Sequence, residues 1–237
     1  IVCQSGGLAQ LGTLTKGLSV ARAFVITDPG IVACGFAAEA VAALNAAGIA
    51  AEIFDKVQAD PPIAVVEAAV EAATSFGADG VIGLGGGSSL DTAKVVAVAV
   101  ASGQPIADMI GVDRVRGQRL PLIQVPTTAG TGAETESTAM ITDTGQGMKW
   151  CIWHSDLKPA LALLDPEITL GLPPHLTAWT GADAMVHAIE AYSVPGFHPL
   201  CDGLALEGLR LIARWLAHRG AAAHHRAWAA SGRDMPV

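Results

Sequence analysis

The sequence predicts an α/β fold: a domain built on a parallel sheet, followed by an all-helical segment. Three observations predict it. Short apolar runs alternate with longer stretches of helical spacing between Ala23 and Val125, a β-α-β-α-β order that calls for a parallel sheet covered on both faces. The third apolar run breaks on three glycines and passes directly into a helical stretch. From Pro166 onward the spacing is purely helical. With 237 residues, the chain holds one large domain, or one complete domain and part of a second. Its composition, 51% apolar and 15% charged, supports a large buried core and excludes a disordered chain.

Ala23-Phe24-Val25-Ile26-Thr27 reads as a buried strand and Asp28-Pro29-Gly30 as the turn after it. Helical spacing runs from Ile31 to about Ala47, with Gly48 as its stop. Ala51-Glu52-Ile53-Phe54 is a second strand, and Pro61-Pro62 opens a helix reaching about Phe76. Gly80 to Leu84 is a third strand, residues 88 to about 101 a helix, and Leu120 to Val125 a fourth strand. Residues 126–152, rich in Thr, Gly and Glu, form an excursion with the apolar content of a hairpin, and Ala160 to Leu164 is another buried strand. The domain boundary is placed near Asp165, giving domains 1–165 and 166–237. Ala205 to Ile212 has an amphipathic helical pattern. The tail, 213–237, sets Arg, His and Trp residues on an alanine background without an apolar face, so a frayed end or a lost reading frame is expected there.

The formal net charge of -8 excludes a nucleic-acid surface, though backbone dipoles still allow a small anionic ligand. Cys3, Cys34, Cys151 and Cys201 are scattered and form no C-x-x-C pair, which points to free thiols and a cytoplasmic protein. No apolar run approaches the roughly 18 residues of a membrane span.

The most informative local feature is Leu84-Gly85-Gly86-Gly87-Ser88-Ser89, between a buried strand and a helix start. A phosphate needs converging backbone N–H groups at close range, and side chains would block that approach. Ser88 or Ser89 can cap the helix and donate a hydroxyl to a phosphate oxygen. The run matches neither G-x-G-x-x-G nor G-x-x-x-x-G-K-[ST], so the pattern alone does not name the nucleotide. A plain tight turn remains the structural alternative. Asp28, at the end of the first strand, is placed to accept two ribose hydroxyls and to repel a 2′-phosphate, which favours NAD over NADP. A turn-initiating aspartate before Pro29-Gly30 is the alternative. Asp183 and His187 lie four apart on a predicted helix, so they share one face and can reach one ion. A carboxylate and an imidazole suit Fe2+ or Zn2+, while a surface or capping pair is the ordinary reading of such spacing.

Three runs, GGGSSLDTAK (85–94), PTTAGTGAETESTAMITD (126–143) and LLDPEITLGLPPHLTAWTGADAMVHAIEAY (163–192), together resemble the iron-containing, group III alcohol dehydrogenases, over the chain from Gly6 to about Ile212. The resemblance implies an N-terminal α/β domain binding NAD, a C-terminal helical domain of which part is expected here, and a divalent metal in the cleft between them. This is the dehydroquinate synthase-like architecture. It also implies the residue roles. Gly86, Gly87 and Ser88 hold the pyrophosphate, and Asp91, in the first turn of the same helix, is a further cofactor-binding residue. Asp28 is the ribose aspartate, Thr127, Thr128 and Thr131 line the nicotinamide side, and Lys149 contacts the cofactor. Asp60 stands where the family often carries asparagine before a proline, and Glu136 where a threonine is frequent. Asp183 and His187 correspond to the first two metal ligands, and the family's two further histidines have no counterpart in the expected context.

The function so implied is NAD-dependent, divalent-metal-dependent, reversible oxidation of a small alcohol to an aldehyde or ketone, with Fe2+ as the metal and Zn2+ as the alternative. The family resemblance carries a homo-oligomer, a dimer, as well. With only two ligands in place, weak NAD binding and little turnover are expected. Maleylacetate reductase or glycerol dehydrogenase activity, a dehydroquinate-synthase-like lyase and an inactive nucleotide-binding fragment are the alternatives.

Overall fold

The computed structural model describes the backbone of residues 1–230 and the side chains up to residue 216. A short edge strand, β1 (Val2–Cys3), leads through a 3-10 turn into α1 (Leu11–Lys16). Then follow β2 (Arg22–Ile26), α2 (Pro29–Ala33), α3 (Phe36–Ala46), β3 (Ala50–Phe54), α4 (Ile63–Phe76), β4 (Gly80–Gly85) and α5 (Gly87–Ser102). After the short α6 (Ile106–Met109) and β5 (Gly111–Val112) come β6 (Leu122–Pro126), β7 (Thr138–Asp143), β8 (Met148–Trp153) and β9 (Leu161–Leu164). Two long helices follow, α7 (Pro174–Ser193) and α8 (Pro199–Ala230).

β1, β9, β6, β4, β2 and β3 form, in that order, one sheet in which every pairing is parallel. Its central strands β2, β4 and β6 are buried on both faces, as their near-continuous apolar runs require. Along β2, Phe24 and Ile26 enter the layer beneath α4 and α5 with Val66, Val81 and Val96, while Ala23 and Val25 join Ala40, Leu44, Ile82 and Leu84 beneath α3. Residues 138–153 do form the expected hairpin: β7 pairs antiparallel with β8, and β5 adds a third strand alongside β8. The order of the main sheet reverses at β2. The chain runs outward from β2 to β3, then returns to lay β4 on the opposite side of β2. In open α/β sheets ligands bind beyond the carboxyl ends of the strands at such a switch point.

The structure corrects three expectations. The single helix expected over 31–47 is two, because Gly35 adopts a left-handed conformation (φ 85°) that ends α2 and opens α3. Neither Ser88 nor Ser89 caps the glycine-loop helix. Gly86 occupies the cap in extended geometry, so both serines lie inside the first turn of α5. The expected frayed tail is instead helical backbone to Ala230, since an alanine-rich stretch sustains a helix without an apolar stripe. The side chains of the histidine tract at His218, His224 and His225 lie outside the described ones.

The chain divides into two compact units. The first is Ile1–Thr127 with Gly132–Leu170; the second is the chain from Gly171 together with the tetrapeptide Thr128–Thr131. Within the first, Asp165 fastens the beginning of the chain to the end of the sheet. Its buried carboxylate accepts from the N–H groups of Gly6 (3.1 Å), Leu8 (3.0 Å) and Glu167 (3.0 Å). Among the described residues, no helix is long and apolar enough to cross a membrane.

Candidate functional site: a glycine cradle at the switch point

β2 and β4 end side by side, so Thr27-Asp28 and Gly85-Gly86-Gly87 meet at the reversal of strand order. Gly85 has φ +150°, and a Cβ there would lie 2.7 Å from Ser89 Oγ and 3.2 Å from Asp28 Oδ2. Only glycine takes this backbone conformation without strain. Gly86 caps α5 with no side-chain hydrogen bond, so the first-turn N–H groups of that helix carry no side-chain cap. Orphan donors and the positive end of the helix dipole together favour an anion. A groove of about 320 Å³ opens there, lined by Asp28, Val57, Gln58, Ala59 and the segment from Gly86 to Ser89.

Asp28 fills the turn-capping role weighed from the sequence. Its Oδ1 caps α2, accepting from Gly30 N (2.9 Å) and Ile31 N (3.2 Å). Its Oδ2 has a single long contact with the Ser89 hydroxyl (3.4 Å), which leaves lone pairs for a sugar hydroxyl. Thr127 is buried, and its N–H donates to Gly85 O (3.0 Å), so the threonine segment starts in register with the cradle. Lys149 Nζ lies 2.6 Å from Asp60 Oδ1, with both side chains more than half exposed. The segment carrying Asp60 is stitched to the hairpin carrying Lys149 by Thr142 N donating to Pro61 O (2.8 Å).

Asp91, expected among the cofactor-binding residues, is engaged on both oxygens by protein donors. Its Oδ1 accepts from Lys94 Nζ (2.9 Å) and its Oδ2 from Met140 N (2.9 Å). Lys94 is fully buried and spends a second donor on Thr138 O (2.7 Å). Burial pushes the Asp91 carboxyl above its ordinary range, against the opposing pull of Lys94, and burial raises Glu134 likewise.

In the second unit, α7 carries Asp183 and His187 one turn apart, with Asp183 Oδ2 3.9 Å from His187 Nδ1 and both side chains nearly half exposed. His187 Nδ1 also lies 3.4 Å from Gly130 O. Gly130 packs so closely on α7 that a Cβ would fall 2.6 Å from Thr180 O, which accounts for glycine inside the threonine run. The donor types suit a divalent metal, yet a mononuclear protein site takes three or more protein ligands. Among the described residues no group of three or more His, Cys, Asp or Glu side chains comes together. The fit to a metal is therefore partial, limited to this pair.

Sequence reasoning singled out Gly86, Gly87, Ser88 and Asp28, and the structure brings them to one groove. It missed Ser89 as the neighbour of Asp28, and it placed Gly85 in the cradle without foreseeing its backbone conformation. Three consecutive glycines could have signalled that one of them needs a conformation closed to other residues.

A doubly wound parallel sheet with an uncapped helix and an acidic strand end at its switch point is the arrangement that dinucleotide-binding α/β domains share. The chain belongs to the iron-containing alcohol dehydrogenase family, whose model matches residues 1–166, and the model of that family's C-terminal part matches residues 177–230. The second match carries the likeness past Ile212, where it was expected to stop. Among curated relatives, sulfoacetaldehyde reductase of Bilophila wadsworthia is 36% identical over 212 residues, covering 90% of this chain and 55% of the relative. NAD-dependent methanol dehydrogenase of Bacillus methanolicus is 36% identical over 211 residues, covering 89% and 55%. The chain thus spans about half the length of the curated relatives it matches. Of solved structures, 1,3-propanediol oxidoreductase aligns with a TM-score of 0.89 at 30% identity, covering 93% of this chain and 58% of that one. The sulfoacetaldehyde reductase from Bifidobacterium kashiwanohense in complex with NAD+ aligns with a TM-score of 0.88 at 28% identity, covering 93% and 58%.

Proposed function

We propose that this chain binds NAD at the crevice between β2 and β4 and serves NAD-dependent oxidation of a small alcohol to an aldehyde or ketone. The observation that carries the reading is the cradle: Gly85 in a glycine-only conformation, Gly86 capping α5 without a side chain, and an Asp28 oxygen held at the groove. In this reading the α5 N–H groups and the Ser88 hydroxyl bind the pyrophosphate around Gly86 and Gly87. Asp28 Oδ2 accepts from the ribose. Thr127, Thr128 and Thr131 line the nicotinamide side, and Lys149 adds positive charge at the rim. Bound NAD supplies the hydride acceptor, and the protein supplies orientation. Asp183 and His187 are the pair that would hold Fe2+, or Zn2+ in the alternative, where a divalent ion polarises the substrate oxygen. With two such ligands the chain is expected to bind cofactor and to turn over little. Cytoplasmic location and a homo-oligomeric, dimeric state complete the proposal, the former supported by four free cysteines.

The test is titration of the 237-residue chain with NAD and NADP, followed by calorimetry. Saturable NAD binding, weaker NADP binding, and an at least tenfold loss of NAD affinity in Asp28→Ala are expected. Absence of saturable NAD binding into the millimolar range overturns the assignment.

A further inference from the structure

We propose that Asp91 and Lys94 form a positioning clamp: they fix the returning limb of the threonine segment to the cradle helix, and so govern cofactor binding without touching the cofactor. The inference rests on the NAD reading of the cradle and adds to it the device that holds the chain returning from Gly132 to Met140 on the cradle helix.

The geometry is unusual for the residue types involved. Lysine is almost never fully buried unless paired. Lys94 is fully buried, and its ammonium joins two elements by donating to Asp91 Oδ1 on its own helix (2.9 Å) and to Thr138 O at the start of β7 (2.7 Å). Asp91 completes the bridge, since its other oxygen accepts from Met140 N (2.9 Å), two residues further along the same strand. Both carboxylate oxygens therefore hold protein donors. One turn of α5 grips β7 at two consecutive positions on one edge.

The other end of the segment is fixed to the same strand-helix unit. Thr127 N donates to Gly85 O (3.0 Å), the last residue of β4. The stretch from Thr127 to Thr138 thus leaves and rejoins the α/β unit at points anchored on either side of Gly86 and Gly87. Between the returning residue Gly132 and the clamp, the chain is braced locally by Thr135 N to Gly132 O (2.8 Å) and by Thr138 Oγ1 to Glu136 Oε2 (2.9 Å). A direct cofactor contact would need a spare donor or acceptor in line with the groove. Asp91 and Lys94 are not among the residues lining that groove.

The experiment compares wild type with Lys94→Met, Asp91→Asn and the Asp91→Asn/Lys94→Met double variant of the full chain. Amide hydrogen exchange is measured without NAD, and NAD affinity by calorimetry. The double variant removes both charges together, leaves no buried lone ion, and so keeps the test valid if either single variant misfolds. In the double variant, exchange at residues 132–140 is expected to accelerate at least tenfold while residues 80–89 stay unchanged, and NAD affinity to fall about tenfold. Unchanged exchange at 132–140 overturns the clamp whether or not NAD binds. A loss of NAD affinity in Asp91→Asn with unchanged exchange also overturns it, in favour of a direct contact. If wild type shows no NAD binding while exchange accelerates as described, the clamp stands and the NAD reading fails.

Discussion

Replacing Gly85 by alanine probes the link between backbone conformation and cofactor affinity at the cradle. Gly85 sits at φ +150°, a region closed to residues with a Cβ, and holding alanine there costs on the order of 1–3 kcal/mol. The added carbon would also approach Ser89 Oγ to 2.7 Å and Ser89 Cβ to 2.9 Å. Ser89 is buried at the start of α5 and has little room to withdraw, so overpacking adds about 1–3 kcal/mol. Part of each cost is relieved by shared backbone adjustment, leaving about 3 kcal/mol, roughly a hundredfold in the folded-to-unfolded ratio. The strain falls on the contact between Ser89 and Asp28, so NAD affinity should drop by more than the stability change alone imposes. Hydrogen exchange of β2, β4 and β6 amides reports the opening free energy of the α/β unit, and NAD titration reports the site. A change below about 0.5 kcal/mol with NAD affinity intact would refute the reasoning, because it would mean the backbone at Gly85 relaxes freely.

Two further outcomes test the rim and the buried carboxylates. Asp60→Asn releases Lys149 from an exposed ion pair (54% and 64% exposed). Stability should move by less than about 0.5 kcal/mol, while NAD affinity rises a few-fold at low salt and returns to the wild-type value near 1 M salt; an equal gain at both salt levels would contradict the electrostatic account. Burial raises the Glu134 and Asp91 carboxyls in the folded state, so between the ordinary carboxylate value and the raised one the folded chain binds more protons than the unfolded chain. Stability contributed by these groups is therefore greatest at the acidic side of that window and declines as pH rises through it. Glu134→Gln should flatten that decline and raise the urea midpoint at neutral pH relative to wild type, with an unaltered slope between pH 4 and 8 counting against it.

The strands and the cradle were legible in the sequence because each follows from a local rule. Ala23-Phe24-Val25-Ile26 could only be a strand buried on both faces, and Gly85 to Ser88 between strand and helix could only be a close-approach turn or an anion site. The break at Gly35 was hidden because helical spacing continues on both sides of it and the conformation of one glycine leaves no mark on that spacing. The order of strands was not legible, since β1 holds two residues and pairs with β9, more than 150 residues away. The clamp was half visible: Asp91 and Lys94 are spaced to pair along a helix. Their acceptor and donor on β7 are backbone groups, and any side chain at Thr138 or Met140 would offer them equally.

The pairing of β1 with β9 has a consequence for how the protein comes into being. Val2 and Cys3 align with Leu163 and Leu164, and Asp165 then gathers the N–H groups of Gly6 and Leu8. Strand β1 is thus made long before the strand it pairs with. At synthesis rates of roughly 5–20 residues per second, the opening segment waits about ten to thirty seconds for its partner strand. Once β6 is made, its edge facing β9 stays unpaired until β9 follows. Production in the cell should for that reason respond to chaperone supply, and to synonymous changes that slow translation between β6 and β9, more strongly than the stability of the finished fold would suggest.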